Sequence, residues 1–171
     1  YKNREITSRG EFSNNVPNGE WEFFYESGNL FQKGKFLDGL RDGLWESYFE
    51  NGDPMQSGNY VLGLKDGLWL DLYPDSLVFT ESYFDEGIPI DVWKMYYSNG
   101  VVSIVENYEN GLQDGVYLKY YPNGQIKLDG YFYQGKPEGE WIEYYEDSVV
   151  AEIGNYTNGY KDSTWVAYYP N

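Results

Sequence analysis

The stretch Gly34-Lys35-Phe36-Leu37-Asp38-Gly39-Leu40-Arg41-Asp42-Gly43-Leu44-Trp45-Glu46-Ser47-Tyr48-Phe49-Glu50-Asn51-Gly52 decides how this chain folds. Its pattern returns every 24 residues. The six tryptophans stand at Trp21, Trp45, Trp69, Trp93, Trp141 and Trp165, and Tyr117 fills the one missing beat. Self-similarity at a fixed short period is the mark of a repeat architecture, so function belongs to an extended surface rather than to one cleft.

Glycine keeps the same time. Eleven residues before each Trp position stand Gly10, Gly34, Gly58, Ser82, Glu106, Gly130 and Gly154. Six before it come Asn15, Gly39, Gly63, Gly87, Gly111, Gly135 and Gly159, and two before it Gly19, Gly43, Gly67, Asp91, Gly115, Gly139 and Ser163. With Gly28, Gly52, Ser76, Gly100, Gly124 and Ser148, seven after it, these phases hold all 20 glycines. None is left over for a phosphate-binding loop. The repeats run 10–33, 34–57, 58–81, 82–105, 106–129, 130–153 and 154–171 of a single array.

The spacing predicts two strands per repeat. From Trp45 to Phe49, Trp45, Ser47 and Phe49 alternate with Glu46 and Tyr48, the two-residue period of a strand. A return strand carries Phe12, Phe36, Tyr60, Phe84, Tyr108, Phe132 and Tyr156. Asn51-Gly52, Asn99-Gly100 and Asn123-Gly124 follow strand-like runs and suit tight type I′ turns. A second turn is expected across Gly39 to Gly43. No helical stripe survives the glycines. The chain reads as all-β: an elongated, single-layer antiparallel sheet of about seven stacked hairpins.

A glycine on one strand lets an indole on the next lie over its backbone. A repeat buries little alone, and stacking builds a ladder of rings from Trp21, Trp45, Trp69, Trp93, Tyr117, Trp141 and Trp165. Strands lie ~4.8 Å apart, so each repeat advances ~10 Å and seven span ~70 Å.

The unit Gly-x-aromatic-x-x-Gly-x-x-x-Gly-x-Trp-x-x-Tyr-Tyr-x-x-Gly resembles the MORN repeat, the "membrane occupation and recognition nexus" motif. Trp141-Ile-Glu-Tyr144-Tyr145 and Tyr120-Tyr121-Pro-Asn123-Gly124 are similar to its bacterial variant. The resemblance covers essentially the whole chain. It implies a curved or twisted sheet of hairpins with a scaffolding or binding role. Some bacterial members are described as antitoxins, which implies partner binding, and the family brings no catalytic motif.

Departures gather in the middle, at Ser76, Ser82, Asp91, Glu106 and Tyr117, and the run from Ser76 lacks the Asn-Gly turn. Ile88-Pro89-Ile90 replaces a polar turn there. Drift in a tolerant array explains this, and so does a partner site at Ile88 and Ile90. Tyr1 and Asn3 are in phase with Tyr169 and Asn171, and neither end carries a distinct polar cap. Either the chain is a piece of a longer protein, or Lys2, Arg4 and Glu5 guard a short terminal hairpin.

Charge bounds the partners. Twelve basic residues face 28 acidic ones, a net charge of −16, with no His and no Cys. Nucleic acid and anionic membrane surfaces are disfavoured, because both call for basic side chains. A protein partner, basic if charge decides, fits better. Without His or Cys the usual nucleophilic triads and zinc sites are missing. No cofactor or metal is expected. The turns lack the alternating ligands and final Glu of a calcium loop, so Asp42, Asp66, Asp114 and Asp162 read as turn braces.

Three residues after each Trp position stand Phe24, Tyr48, Leu72, Tyr96, Tyr120, Tyr144 and Tyr168, facing away from the Trp. Tyr48, Tyr96, Tyr120, Tyr144 and Tyr168 are therefore candidates both for binding and for packing between repeats. Two functions follow: a non-catalytic protein-interaction scaffold, in an antitoxin-like form or otherwise, and a carbohydrate or cell-envelope binder using aromatic ladders. No apolar run approaches the ~20 residues that span a bilayer as a helix, and cytoplasmic and envelope locations both fit.

Overall fold

A computed structural model describes residues 6–170, all-β with no helix among them. The positions Tyr1, Lys2, Asn3, Arg4, Glu5 and Asn171, which entered the reading of the chain ends, lie outside the described residues. The chain divides into two units, Tyr1–Ile88 and Pro89–Asn171. The first holds β1 (Ser8–Ser13), β2 (Val16–Phe24), β3 (Leu30–Leu37), β4 (Leu40–Tyr48), β5 (Pro54–Val61), β6 (Leu64–Leu72) and β7 (Val78–Asp85). The second holds β8 (Ile88–Tyr96) from Pro89 onward, β9 (Val102–Glu109), β10 (Leu112–Tyr120), β11 (Ile126–Tyr133), β12 (Lys136–Tyr144), β13 (Val150–Thr157) and β14 (Tyr160–Ala167). Within each unit, successive strands pair antiparallel in chain order.

The two turns of the repeat are the reverse of the sequence expectation. The tight type I′ turn lies at Asp38-Gly39, where φ is 49° and 84°, and it recurs at Asn110-Gly111 with 51° and 83°. The two-residue gap between β3 and β4 demands positive φ at both places. Asn51-Gly52 instead belongs to a longer loop. There Phe49 N–H donates to Asp53 O (2.8 Å), Gly52 N–H to Phe49 O (2.9 Å), and only Gly52 has positive φ, 91°. Asn51 Oδ1 accepts the Asp53 N–H at 3.0 Å, an Asx turn, so asparagine serves here through its side chain. Asp75-Ser76 makes the same loop without Asn-Gly, with Ser76 at φ 66° and Asp75 Oδ1 accepting Leu77 N–H.

Gly43 is not in a turn either. On β4, Gly34 faces Trp45 while Lys35 faces Asp42, so Gly43 and Leu44 form a bulge against β3. The bulge opens the ladder beside Lys35, and Trp45 Nε1–H donates to Lys35 O at 3.0 Å. The same bond runs from Trp21 to Glu11 O, from Trp69 to Asn59 O and from Trp165 to Asn155 O. Bulge, glycine and indole thus form one device.

The ring ladder exists, with one refinement. Trp21 and Trp45 are joined through Phe36, 5.8 Å and 5.0 Å away edge-on, and Trp45 and Trp69 through Tyr60. Tyr117 and Trp141 stack directly at 5.8 Å. The brace acts across repeats: Asn18 Oδ1 accepts Asp38 N–H, Asp114 Oδ2 accepts Gln134 N–H and Glu138 Oε2 accepts Asn158 N–H. The expected role in a repeat's own turn holds for Asp162, which accepts from Thr157 Oγ1.

Candidate interaction surface

Alternation gives each strand a Trp side and an opposite side. On the Trp side a single layer of sheet closes over itself. Trp45 and Trp69 are 1 % and 2 % exposed, and Trp21 and Trp141 are buried too. Three features achieve this. The indole lies on a glycine: a Cβ added to Gly34 would stand within 2.6 Å of three Trp45 ring atoms. Return-strand rings wall it in. A residue four before the Trp covers it, the Arg41 guanidinium 4.2 Å from the Trp45 ring centre, the Lys65 ammonium 4.2 Å from Trp69 and the Lys161 ammonium 3.6 Å from Trp165. Burial lowers the Lys65 pKa, against an opposing pull from Asp71. Arg41 also donates to Tyr60 Oη (3.0 Å) and Gln32 Oε1 (2.9 Å).

Trp93, Tyr117 and Trp165 are only half-buried. Tyr117 stands where the underlying glycine is replaced by Glu106, itself 7 % exposed. The Glu106 carboxylate accepts hydrogen bonds from Gln113 Nε2 (2.6 Å) and Tyr108 Oη (3.1 Å). Burial, and then the nearby Glu106, push the Tyr108 pKa up to about 12 and raise that of Tyr117. The two exceptions belong together, because a side chain as large as glutamate leaves no room for an indole lying flat. Where the smaller Ser82 takes the glycine position, the indole of Trp93 is kept but is only half-buried.

The opposite side is open. Of the candidate residues there, Tyr48, Tyr96, Tyr120 and Tyr144 are half-buried and Tyr168 is exposed. Lys33 donates to Glu46 (2.9 Å) and lies 5.6 Å from the Tyr48 ring centre. Hydrogen bonds to Glu46 and Tyr48 hold its pKa above the usual lysine range. The next tyrosine in each pair is a staple between repeats. Tyr25 Oη donates to Tyr48 O, Tyr97 to Tyr120 O, Tyr121 to Tyr144 O and Tyr145 to Tyr168 O. The staples hold the backbone of Tyr48, Tyr120, Tyr144 and Tyr168 and leave their rings partly or wholly exposed. Ile88 is exposed at the end of the first unit, and Ile90 is half-buried in the second.

Apart from Ile88 and Ile90, the sequence reading passed over the aliphatic residues of this side. Leu40, Leu64 and Ile88 stand five residues before a Trp and are each about half exposed, at 48 %, 49 % and 48 %. Leu44 and Leu68, one before a Trp, are exposed as well. Their period was readable, but tryptophan and glycine outshine it.

A chain of paired strands, bulged ahead of a recurring aromatic that is a buried indole in four of the repeats, defines a β-hairpin repeat protein. The family model described as the MORN repeat variant matches residues 17–38, 41–61, 92–110, 113–134 and 137–158, more than half the sequence, and the chain belongs to that family. The match passes over residues 62–91. No curated protein matches the chain. MORN repeats form a repeat scaffold of the kind that serves protein or membrane-lipid interactions.

Proposed function

We propose that the protein is a non-catalytic scaffold that binds another protein through the side opposite the tryptophans. One observation carries this reading: over Trp45 and Trp69 the Trp side is closed by glycines, rings and cations, while the opposite side leaves aliphatic and tyrosine side chains exposed. Exposed apolar side chains gathered on one side of the strands of a strongly acidic chain mark an interaction site. The net charge of −16 favours a basic partner over nucleic acid or an anionic membrane. Inhibition of a basic partner, as an antitoxin would do, is one form this binding takes.

The test replaces Tyr96, Tyr120 and Tyr144 together with Ser and measures partner capture from the native host, with unfolding midpoints alongside. Weaker capture by a folded variant supports the reading. Undiminished capture of every partner by a folded variant removes this side as the site, and loss of folding assigns the rings to packing. A carbohydrate reading is favoured by Tyr131, Tyr133 and Tyr160, 42 %, 54 % and 78 % exposed on the opposite side of the second unit. A glycan array separates the two.

A further inference from the structure

Exposed aliphatic side chains are unevenly spread among the repeats. In the second and third, Leu37 pairs with Leu40 and Val61 with Leu64, both pairs on the side opposite the tryptophans and beside the type I′ turns. Leu44 and Leu68 extend the patch, at 54 % and 41 % exposed. The same positions of the sixth repeat carry Lys136 in place of Leu64 and Glu140 in place of Leu68. The rows also interlock, since a Cβ added to Gly63 would lie 3.4 Å from Leu40 Cδ2.

Leu62 sharpens the case. It is 67 % exposed at the turn tip with φ 50°, where the other repeats place Asn14, Asp38, Glu86, Asn110, Gln134 and Asn158. Leucine has no local reason to be there, because the left-handed backbone disfavours it and its side chain stands in water. Leu62, Leu64 and Leu68 all fall in residues 62–91, which the family pattern does not match.

Charge selects the occupant. Asp38, Asp42, Asp66, Asp85 and Glu86 border the patch, and the two bases on that side, Lys33 and Lys35, are already paired with Glu46 at 2.9 Å and Asp42 at 4.0 Å. The other two bases of these turns, Arg41 and Lys65, are turned away over Trp45 and Trp69. Spacing selects its form. Successive rows are two strands, about 9.6 Å, apart. Residues i and i+7 of an α-helix share a face and are about 10.5 Å apart. An extended strand repeats on one face every ~6.7 Å and misses this spacing.

We infer that the leucine patch of the second and third repeats docks a basic amphipathic α-helix of a partner protein, laid across the strands with aliphatic residues at heptad spacing. This rests on the scaffold reading and gives it a location and a partner class. A polyproline II segment also repeats at about 9.3 Å, but such segments dock in aromatic-lined grooves and this patch is aliphatic.

The probe is a labelled 21-residue helical peptide with Leu at heptad positions a and d and Lys elsewhere, followed by fluorescence anisotropy. Leu40→Thr/Leu62→Asn/Leu64→Thr leaves the net charge unchanged and should weaken binding at least tenfold, and Leu62→Asn alone, which suits its turn, about threefold. Leu112→Thr in the second unit should change nothing. Equal binding by the chain and a folded triple variant would reduce the effect to charge and overturn the inference, and if the triple variant is unfolded, Leu62→Asn decides. Failure of the peptide to bind, equal binding of a Lys- and Pro-rich peptide, or a dimer that the triple variant abolishes would also overturn it. Should the inference fail while the Tyr96/Tyr120/Tyr144 variant still loses its host partner, the scaffold reading stands and only this location is wrong.

Discussion

Gly58→Ala and Trp69→Ala, made singly and together, probe the device that repeats along the chain. A Cβ on Gly58 would stand within 2.5 Å of three atoms of the Trp69 ring, which is 2 % exposed and held by a 3.1 Å bond from Nε1 to Asn59 O. The ring must leave that position, and overpacking of this kind costs about 1–3 kcal/mol. With Trp69 removed the clash is gone. Alanine then gains its ordinary advantage over glycine in a strand, about 0.5–1 kcal/mol, since Gly58 is outside the positive-φ residues. The two changes should therefore couple by about 1.5–4 kcal/mol, which a double-mutant cycle isolates. Urea unfolding followed by far-UV circular dichroism measures it. Additive effects within about 0.5 kcal/mol would refute the claim that each indole rests on its glycine.

Three further outcomes follow from the same geometry. Trp69→Ala should cost about 3–5 kcal/mol, and Trp165→Ala less, because Trp165 is half-buried on the last strand; equal shifts in urea midpoint would argue against a stack held by neighbours. Leu62→Asn should stabilise by about 1 kcal/mol through relief of its φ of 50°, a gain visible as a higher midpoint and contradicted by a lower one. Tyr108 is raised from 10.0 to about 12, so the folded chain holds this proton more tightly than the unfolded one, and the stability it contributes is present below pH 10 and lost as pH rises towards 12. Tyr108→Phe should flatten that part of the pH dependence, and an unchanged slope would contradict the assignment.

The fold was legible because tryptophan and glycine are rigid constraints with one period. The type I′ turn was misplaced because Asn51-Gly52 and Asp38-Gly39 carry the same local signal. What separates them is the length of the connection, two residues in one case and the Phe49-to-Asp53 loop in the other. The two-residue bulge at Gly43 depends on pairing with β3, which spacing along one strand does not reveal. The tyrosine side was correctly expected to face away from the tryptophans, yet the stapling bond from Tyr25 to Tyr48 O spans 23 residues and appears only when repeats stack. The sequence reading gave Arg41 and Lys65 no role. Their place over Trp45 and Trp69 keeps two positive charges off the opposite side, where Lys33 and Lys35 are paired with Glu46 and Asp42.

A photo-crosslinking residue placed at Leu40, and separately at Gln56 on the Trp side, tests most directly which side of the sheet binds. In the native host, irradiation should join Leu40 to a basic, aliphatic-rich helical segment of another protein, identified by mass spectrometry, while position 56 yields no such adduct. Adducts formed at position 56 and absent at position 40 would contradict the account.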